Sequence, residues 1–306
     1  MNVIIFLQVH SHVKNKSIIA RIRGGLGNQL FIYAMARRLA LKNDVALSLD
    51  IVSGFKNDGY RRKYLLDNFN IKANIATPYD SFEAGFGKLR RRFRMKVEQF
   101  QKLNNRSYII EEKRSFEPRI LNLEIRKIVY IDGLWQSERY FKDIEHIIRQ
   151  DLELICQPCD TGTLKMADKI QNVNSISLHG RSYCEVPAKD KNGSPEVSDY
   201  YSKAADLIAQ HIDNPHFFCF SDNLEWLKKN LKIPFPLTYV SHNPTQEDDN
   251  TIKDFWLMTQ CKHHIIAEST FSWWGAWLNK SPNKIIIAHR CAWQNPDYIP
   301  NSWITL

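Results

Sequence analysis

The residue types best suited to chemistry stand at the ends of apolar runs. In HHIIAESTFSWWGAWLN (residues 263–279) such a run delivers Glu268, Ser269 and Thr270, and a helical pattern opens at Thr270 or Phe271. A helix N-terminus offers free N–H groups and partial positive charge. Set beside two small hydroxyls, it would cradle a diphosphate. LHGRSY ends another run with His179 and Arg181, which alternation sends to the same side of an extended chain. An arginine there can fork onto phosphate oxygens while fully charged; the competing reading is a structural salt bridge beside a packed imidazole. CFSDN ends a third run with Asp222, which either caps the next helix or recognises a base or ribose. RIRGGLGNQ places Gly25 and Gly27 between a strand and a helix, where backbone N–H groups can approach an anion. The spacing is G-G-x-G rather than G-x-G-x-x-G, so close strand–helix packing also accounts for it. The following amides, Asn28 and Gln29, are expected to point into the cleft.

The elements that must carry these residues follow from periodicity. Apolar, partly β-branched runs at 175–179, 216–221, 237–240, 263–267 and 284–289 read as strands. Helical patterns fall between them at Ser198–Ile212, Asn223–Leu231, Thr251–Cys261 and Thr270–Lys280. Strand alternating with helix argues for a parallel sheet covered on both faces. The first half opens alike, with a strand at 18–23, a helix to about Lys42 and a strand at 45–50; a further strand is expected at 128–136 and a helix at 137–154. Residues 55–125 are irregular and basic, and their topology is not legible. The fold class expected is α/β, two doubly wound Rossmann-like domains facing a cleft at the carboxyl ends of their strands. The expected division is an extension at 1–17, a first domain at 18–157 and a second at 158–306, the last segment packing back on the first. Trp274 and Trp277 read as core residues of the helix after Thr270.

A chain of 306 residues with 43% hydrophobic and 25% charged residues is globular and long enough for two domains. Val3 to Leu7 is too short an apolar run to span a bilayer and has neither the flanks nor the cleavage site of a signal peptide. Of the six cysteines only Cys156 and Cys159 are close, without the second pair or histidines a zinc site wants; unpaired thiols in a reducing cytoplasm are expected. Net charge is +9, densest in KLRRRFRMK, Lys88 to Lys96. This cluster reads as a solvated helix face or as one attracted to an anionic membrane surface. Nucleic acid is not expected as a partner, because the tryptophans sit apart from the basic cluster.

Taken together, GGLGNQLFIYAMARRLA, WQSERYF, HGR, FSDN, DFWLMTQCKHHIIAESTFSWWGAWLN and the terminal NSWITL resemble the bacterial α-1,2-fucosyltransferases in order and separation, from Ile18 onward. The resemblance implies a GT-B fold and inverting transfer of L-fucose from GDP-β-L-fucose to the 2-hydroxyl of a galactose-type residue. The acceptor would be a glycan or a lipid-linked oligosaccharide, and the enzyme cytoplasmic or peripheral at the inner membrane. No cofactor is implied, GDP-fucose being a co-substrate, and no metal; consistently, no Asp-x-Asp follows a strand. Arg181, Asn28 and the Ser269–Phe271 segment would then meet the diphosphate, and Glu185, Glu268 and His179 are candidates to accept the acceptor proton. Three places depart from the family pattern, one of them Asp222-Asn223, which stands where the family has a double Asp. After Arg181 comes Ser182-Tyr183-Cys184-Glu185 where the family has Arg-Gly-Asp-Tyr, and Glu268 stands where the family has Asn. Glu268 is expected to pair with a basic group, His263, His264 or Arg181, or to act as a base. The alternatives are a same-fold glycosyltransferase with another donor or acceptor position, and a sugar-nucleotide-binding protein without turnover.

Overall fold

The computed structural model describes residues 16–181, 196–242, 247–290 and 295–306. Among these residues eleven strands form two wholly parallel sheets. The first sheet has the order β3-β2-β1-β5-β4, from β1 (Ser17–Arg21), β2 (Ala46–Asp50), β3 (Asn74–Ile75), β4 (Tyr108–Ile110) and β5 (Ile128–Asp132). The second has the order β11-β10-β9-β6-β7-β8, from β6 (Asn174–Gly180), β7 (Pro215–Ser221), β8 (Leu237–Tyr239), β9 (His263–Ile266), β10 (Ile286–Ala288) and β11 (Ile304–Thr305). The long apolar runs become central strands because both faces of a parallel sheet are covered.

Helices cover these sheets: α1 (Leu26–Asn43), α2 (Gly87–Glu98), α3 (Glu145–Asp151), α4 (Thr161–Gln171), α5 (Glu196–Ala209), α6 (Leu224–Asn230), α7 (Glu247–Gln260) and α8 (Thr270–Leu278). One expectation needs correction. The helix expected over 137–154 is two 3-10 turns, Glu138–Tyr140 and Lys142–Ile144, followed by the short α3. Phe141 breaks it with φ −142°, an angle that turns its ring into the core, stacked 5.3 Å from Trp274. Just past the division expected between residues 157 and 158, α4 opens, its N-cap Asp160 accepting from the Thr163 N–H at 3.0 Å.

The largest core is shared by the two sheets. It runs from Ile18, Ala20 and Ile131 through Phe31 on α1 to Trp273, Trp274 and Trp277 on α8. All three indoles are buried, with Phe31 packed 4.5 Å from Trp273 and 5.0 Å from Trp274. The Trp273 indole N–H donates to the Tyr298 carbonyl at 2.8 Å, and Trp277 to Glu138 at 3.1 Å. The other end of α8 is held as well. Arg149 donates to the Trp277 and Leu278 carbonyls, and Lys284 to those of Ala276 and Asn279. Cations there satisfy orphan carbonyls and oppose the helix dipole. Burial pulls the Lys284 ammonium down to about 8.

At their N-termini α1 and α8 touch backbone to backbone. A Cβ on Gly27 would overlap the Thr270 carbonyl group and lie 2.6 Å from the Phe271 nitrogen. Replacing glycine by alanine near a helix start gains up to about 1 kcal/mol of propensity, whereas overpacking costs about 1–3 kcal/mol. The collision is with backbone, which has no rotamer to yield, so the second effect wins. Gly27→Ala is expected to destabilise the protein by about 1–2 kcal/mol net, read as a lower Tm in thermal unfolding. An unchanged or raised Tm would show that the two helices part without cost.

Candidate active site between the two sheets

In open α/β sheets ligands bind outside the carboxyl ends of the strands, where the strand order reverses. The first sheet reverses between β1 and β5, the second between β6 and β9. α1 follows β1 and α8 follows β9, so the contact at Gly27 and Thr270 joins the two reversal points. Most of the residues singled out from sequence gather here.

Ser269 is the N-cap of α8, its Oγ accepting from the Phe271 N–H at 3.3 Å. Thr270 and Phe271 are half-buried in the first turn. Gly25 is the N-cap of α1 and has open space where a Cβ would stand. Gly24 before it takes φ +75°, a left-handed turn that glycine adopts at little cost. Asn28 is half-buried; its Oδ1 accepts from Gln136 Nε2 at 2.8 Å, which commits the oxygen and leaves the amide's donor end. Gln29 does not point into the cleft as expected. It is fully buried and spends its amide on the Gly24 and Lys63 carbonyls and the Leu65 N–H. One residue along a helix turns a side chain by about 100°, which separates the two amides.

His179 and Arg181 end β6, and Asp222 follows β7. Arg181 and Asp222 form an ion pair at 3.3 Å, both largely buried. Asp222 does not cap α6; Asn223 does, accepting from the Trp226 N–H at 2.9 Å. The His179 ring is 5% exposed and packs 5.8 Å from Phe271, with Nδ1 buried and without a hydrogen-bond partner. Burial, then the Arg181 charge, drive its pKa down to about 4, against a smaller opposing effect of Asp222. A neutral imidazole held this way is a weak proton acceptor.

Glu268 pairs with neither of the two histidines expected. His263 and His264 begin β9, roughly 13 Å or more away along an extended strand. His264 is buried, and His263 Nδ1 accepts the Ile285 N–H at 3.0 Å. One partner is His289, just past the end of the neighbouring β10, with Nδ1 3.3 Å from Glu268 Oε1. The sequence did carry this signal, since His289 closes the strand-like run KIIIAH. Glu185 lies outside the described residues.

The irregular first-half residues supply a cluster that was not legible. Asp132, at the end of β5, is buried between Arg21 at 3.3 Å, Arg91 at 2.5 Å and Arg23 at 3.8 Å, and accepts from Tyr108 OH at 2.6 Å. Burial alone would raise its carboxyl, but Arg21, the Tyr108 hydrogen bond, Arg91 and Arg23 together hold it below the usual range. The result is a dense ion cluster at the carboxyl edge of the first sheet, which Ser53 links to the buried Asp50. On the second sheet a cavity of about 290 Å³ opens past β8, lined by Asp160, Thr163, Val240, His242 and Lys253. Among the described residues no group of three or more His, Cys, Asp or Glu is placed to hold a metal ion. Cys156, Cys159, Cys219 and Cys261 are unpaired thiols, the first two exposed.

This arrangement can receive a dianionic group against two helix N-termini and Arg181, with a carboxylate–imidazole pair nearby. Residues 17–298 match the family Glycosyl transferase family 11. An alpha-1,2-colitosyltransferase of Escherichia coli is 31% identical over 94% of this chain and 98% of its own length. The O-antigen biosynthesis glycosyltransferase WbnK of Escherichia coli is 30% identical over 93% of this chain and 99% of its own. The crystal structure of the fucosyltransferase NodZ from Bradyrhizobium shares the fold, with a TM-score of 0.50 at 15% identity over 90% of this chain and 95% of that one. With its two parallel sheets in the GT-B arrangement, the chain belongs to glycosyl transferase family 11.

Proposed function

We propose that this glycosyltransferase moves L-fucose from GDP-β-L-fucose to the 2-hydroxyl of a galactose-type residue in a glycan, with inversion and without a metal. The observation that carries this reading is the meeting of both reversal points at Gly27 and Thr270, with Arg181 two residues past His179, whose ring packs on Phe271. In the reaction the acceptor oxygen forms a bond to C1 as the bond from C1 to the phosphate oxygen breaks, and the acceptor proton passes to a base. Positive charge grows on the sugar and negative charge on the departing GDP. Arg181, the Asn28 amide and the N–H groups opening α8 would meet that negative charge, each worth more in a water-poor cleft than in solvent. Glu268, oriented by His289, is the described carboxylate best suited to take the proton; Glu185 is the other candidate.

A second reading has a specific support, the 31% identity to a protein named for colitose transfer. Colitose is L-fucose without its 3-hydroxyl. A site that hydrogen-bonds that hydroxyl rejects the deoxy sugar by about 10⁴–10⁵, whereas an apolar site discriminates only about 10²-fold. Incubation with GDP-fucose or GDP-colitose and a panel of β-galactosides, with linkage read by NMR, separates the readings. The expected product is an α-1,2-fucoside, formed equally well in EDTA. Transfer of colitose alone, another linkage, or activity lost in EDTA and restored by Mg²⁺ would each count against the proposal.

Two substitutions probe the residues named. Arg181→Ala is expected to lower kcat by about 10²–10³, with Arg181→Lys recovering part of the loss because it keeps charge without the fork. A folded Arg181→Ala variant with most of its turnover would remove Arg181 from the mechanism. For Glu268→Gln the expectation is a steep fall in kcat and loss of the acidic limb of the pH–rate profile. A higher KM for GDP-fucose at unchanged kcat would assign Glu268 to donor binding instead.

A further inference from the structure

α2 is built inside out. At 100° per residue, Gly87, Arg91, Met95 and Glu98 fall within an arc of about 80°, and this mainly polar face is the one turned to the protein. Arg91 donates to Tyr108 OH at 2.9 Å and to Asp132 at 2.5 Å, while Glu98 accepts from Ser107 N at 2.7 Å and Ser107 Oγ at 2.5 Å. The opposite arc, again about 80° wide, holds Leu89, Phe93 and Val97 and is extended at the two ends by Phe86 and Phe100. Their exposures are 61%, 69%, 42%, 80% and 85%. A contiguous apolar stripe of this kind on a surface marks an interaction site.

The charges beside the stripe identify the partner. Arg90 and Arg94 flank one side of it and Arg92 and Lys96 the other, whereas the helix's one acid, Glu98, is buried on the inner face. Arg90 also lies 3.9 Å over the ring of Tyr79, itself 64% exposed, which adds an amphipathic ring at the margin. The cluster Lys88 to Lys96 is therefore not a uniform basic face, since Arg91 is spent on Asp132. A nucleic acid would match the charge and leave the stripe in water; an apolar protein groove would take the stripe and leave the charges unmatched. A bilayer surface with anionic headgroups satisfies both. No helix among the described residues is long and apolar enough to cross a membrane.

We infer that α2 is an interfacial membrane-docking helix, lying in the plane of an anionic bilayer with Leu89, Phe93 and Phe100 among the acyl chains and its basic residues at the headgroups. Arg91 ties the helix to the end of β5, so the docked bilayer would run beside the carboxyl edge of the first sheet. This holds whichever donor sugar the enzyme uses.

The test is co-sedimentation of the full chain with vesicles of phosphatidylcholine alone or mixed with phosphatidylglycerol. Binding to the anionic vesicles is expected to be at least about tenfold tighter than to the neutral ones, and weaker at high salt. The triple variant Leu89→Gln, Phe93→Gln, Phe100→Gln is expected to lose about tenfold or more of that binding, with Tm and turnover on a free disaccharide unchanged. Arg92→Gln with Lys96→Gln is expected to lose the preference for anionic lipid. Equal vesicle binding by wild type and the triple variant would overturn the inference. So would wild-type self-association that the triple variant abolishes, because a second copy would then cover the stripe.

Discussion

Everything that faces the cleft depends on one close contact, the backbone of α1 at Gly27 against that of α8 at Thr270. A parallel sheet sends its helices back along both faces, so the helices after the two reversal strands begin at the carboxyl edges. Bringing those beginnings together requires a residue without a side chain on one of them. It also requires a core firm enough to hold two like-signed helix ends side by side. The aromatic wedge of Phe31, Phe141, Trp273 and Trp274 supplies that core, and Arg149 and Lys284 tie down the far end of α8. Two N-termini pressed together without an anion repel weakly. On the proposed reading, a diphosphate bound there would relieve the repulsion.

Charge is divided between the two sheets in a complementary way. On the first, three arginines surround one buried aspartate at the carboxyl edge. On the second, Arg181 is balanced by Asp222 and Glu268 faces His289. Paired ions of this kind are poor sources of stability, because desolvation offsets most of their attraction. Their value is orientation. Asp222 holds the Arg181 guanidinium at the end of β6, and burial together with the Arg181 charge keeps His179 neutral beside it, against the smaller pull of Asp222.

α2 shows the same economy applied outward. Its bonds to the protein are polar, through Arg91 and Glu98, which frees the apolar side for another phase. A helix packed in the ordinary sense would bury Leu89 and Phe93 and leave the arginines in water. The inversion costs the protein no apolar contact it needs, since β4 and β5 are already covered by Phe82, Tyr108 and Tyr130 packing on one another.

The sequence by itself determined the strand–helix alternation of the second half, the parallel sheet that follows from it, and the strand-end positions of His179, Arg181, Asp222 and Glu268. These depend on local period and on the rule that ligands gather at carboxyl ends, both of which a one-dimensional pattern records. The family motifs, concentrated in residues 263–279, pointed to the same class of enzyme that the comparisons establish. Partnership was decided by the tertiary structure. Gln29 and Asn28 are adjacent in sequence, yet a 100° turn of helix buries one and leaves the other at the cleft. Glu268 found His289 because the register of β9 and β10 sets their ends side by side, and register is fixed only when the sheet packs. Asp132 drew three arginines from two separate places in the chain, Arg21 and Arg23 at the end of β1 and Arg91 in the basic cluster of α2. Whether a charged residue faces solvent or a buried partner is set by contacts distant in sequence, so no local pattern contains it.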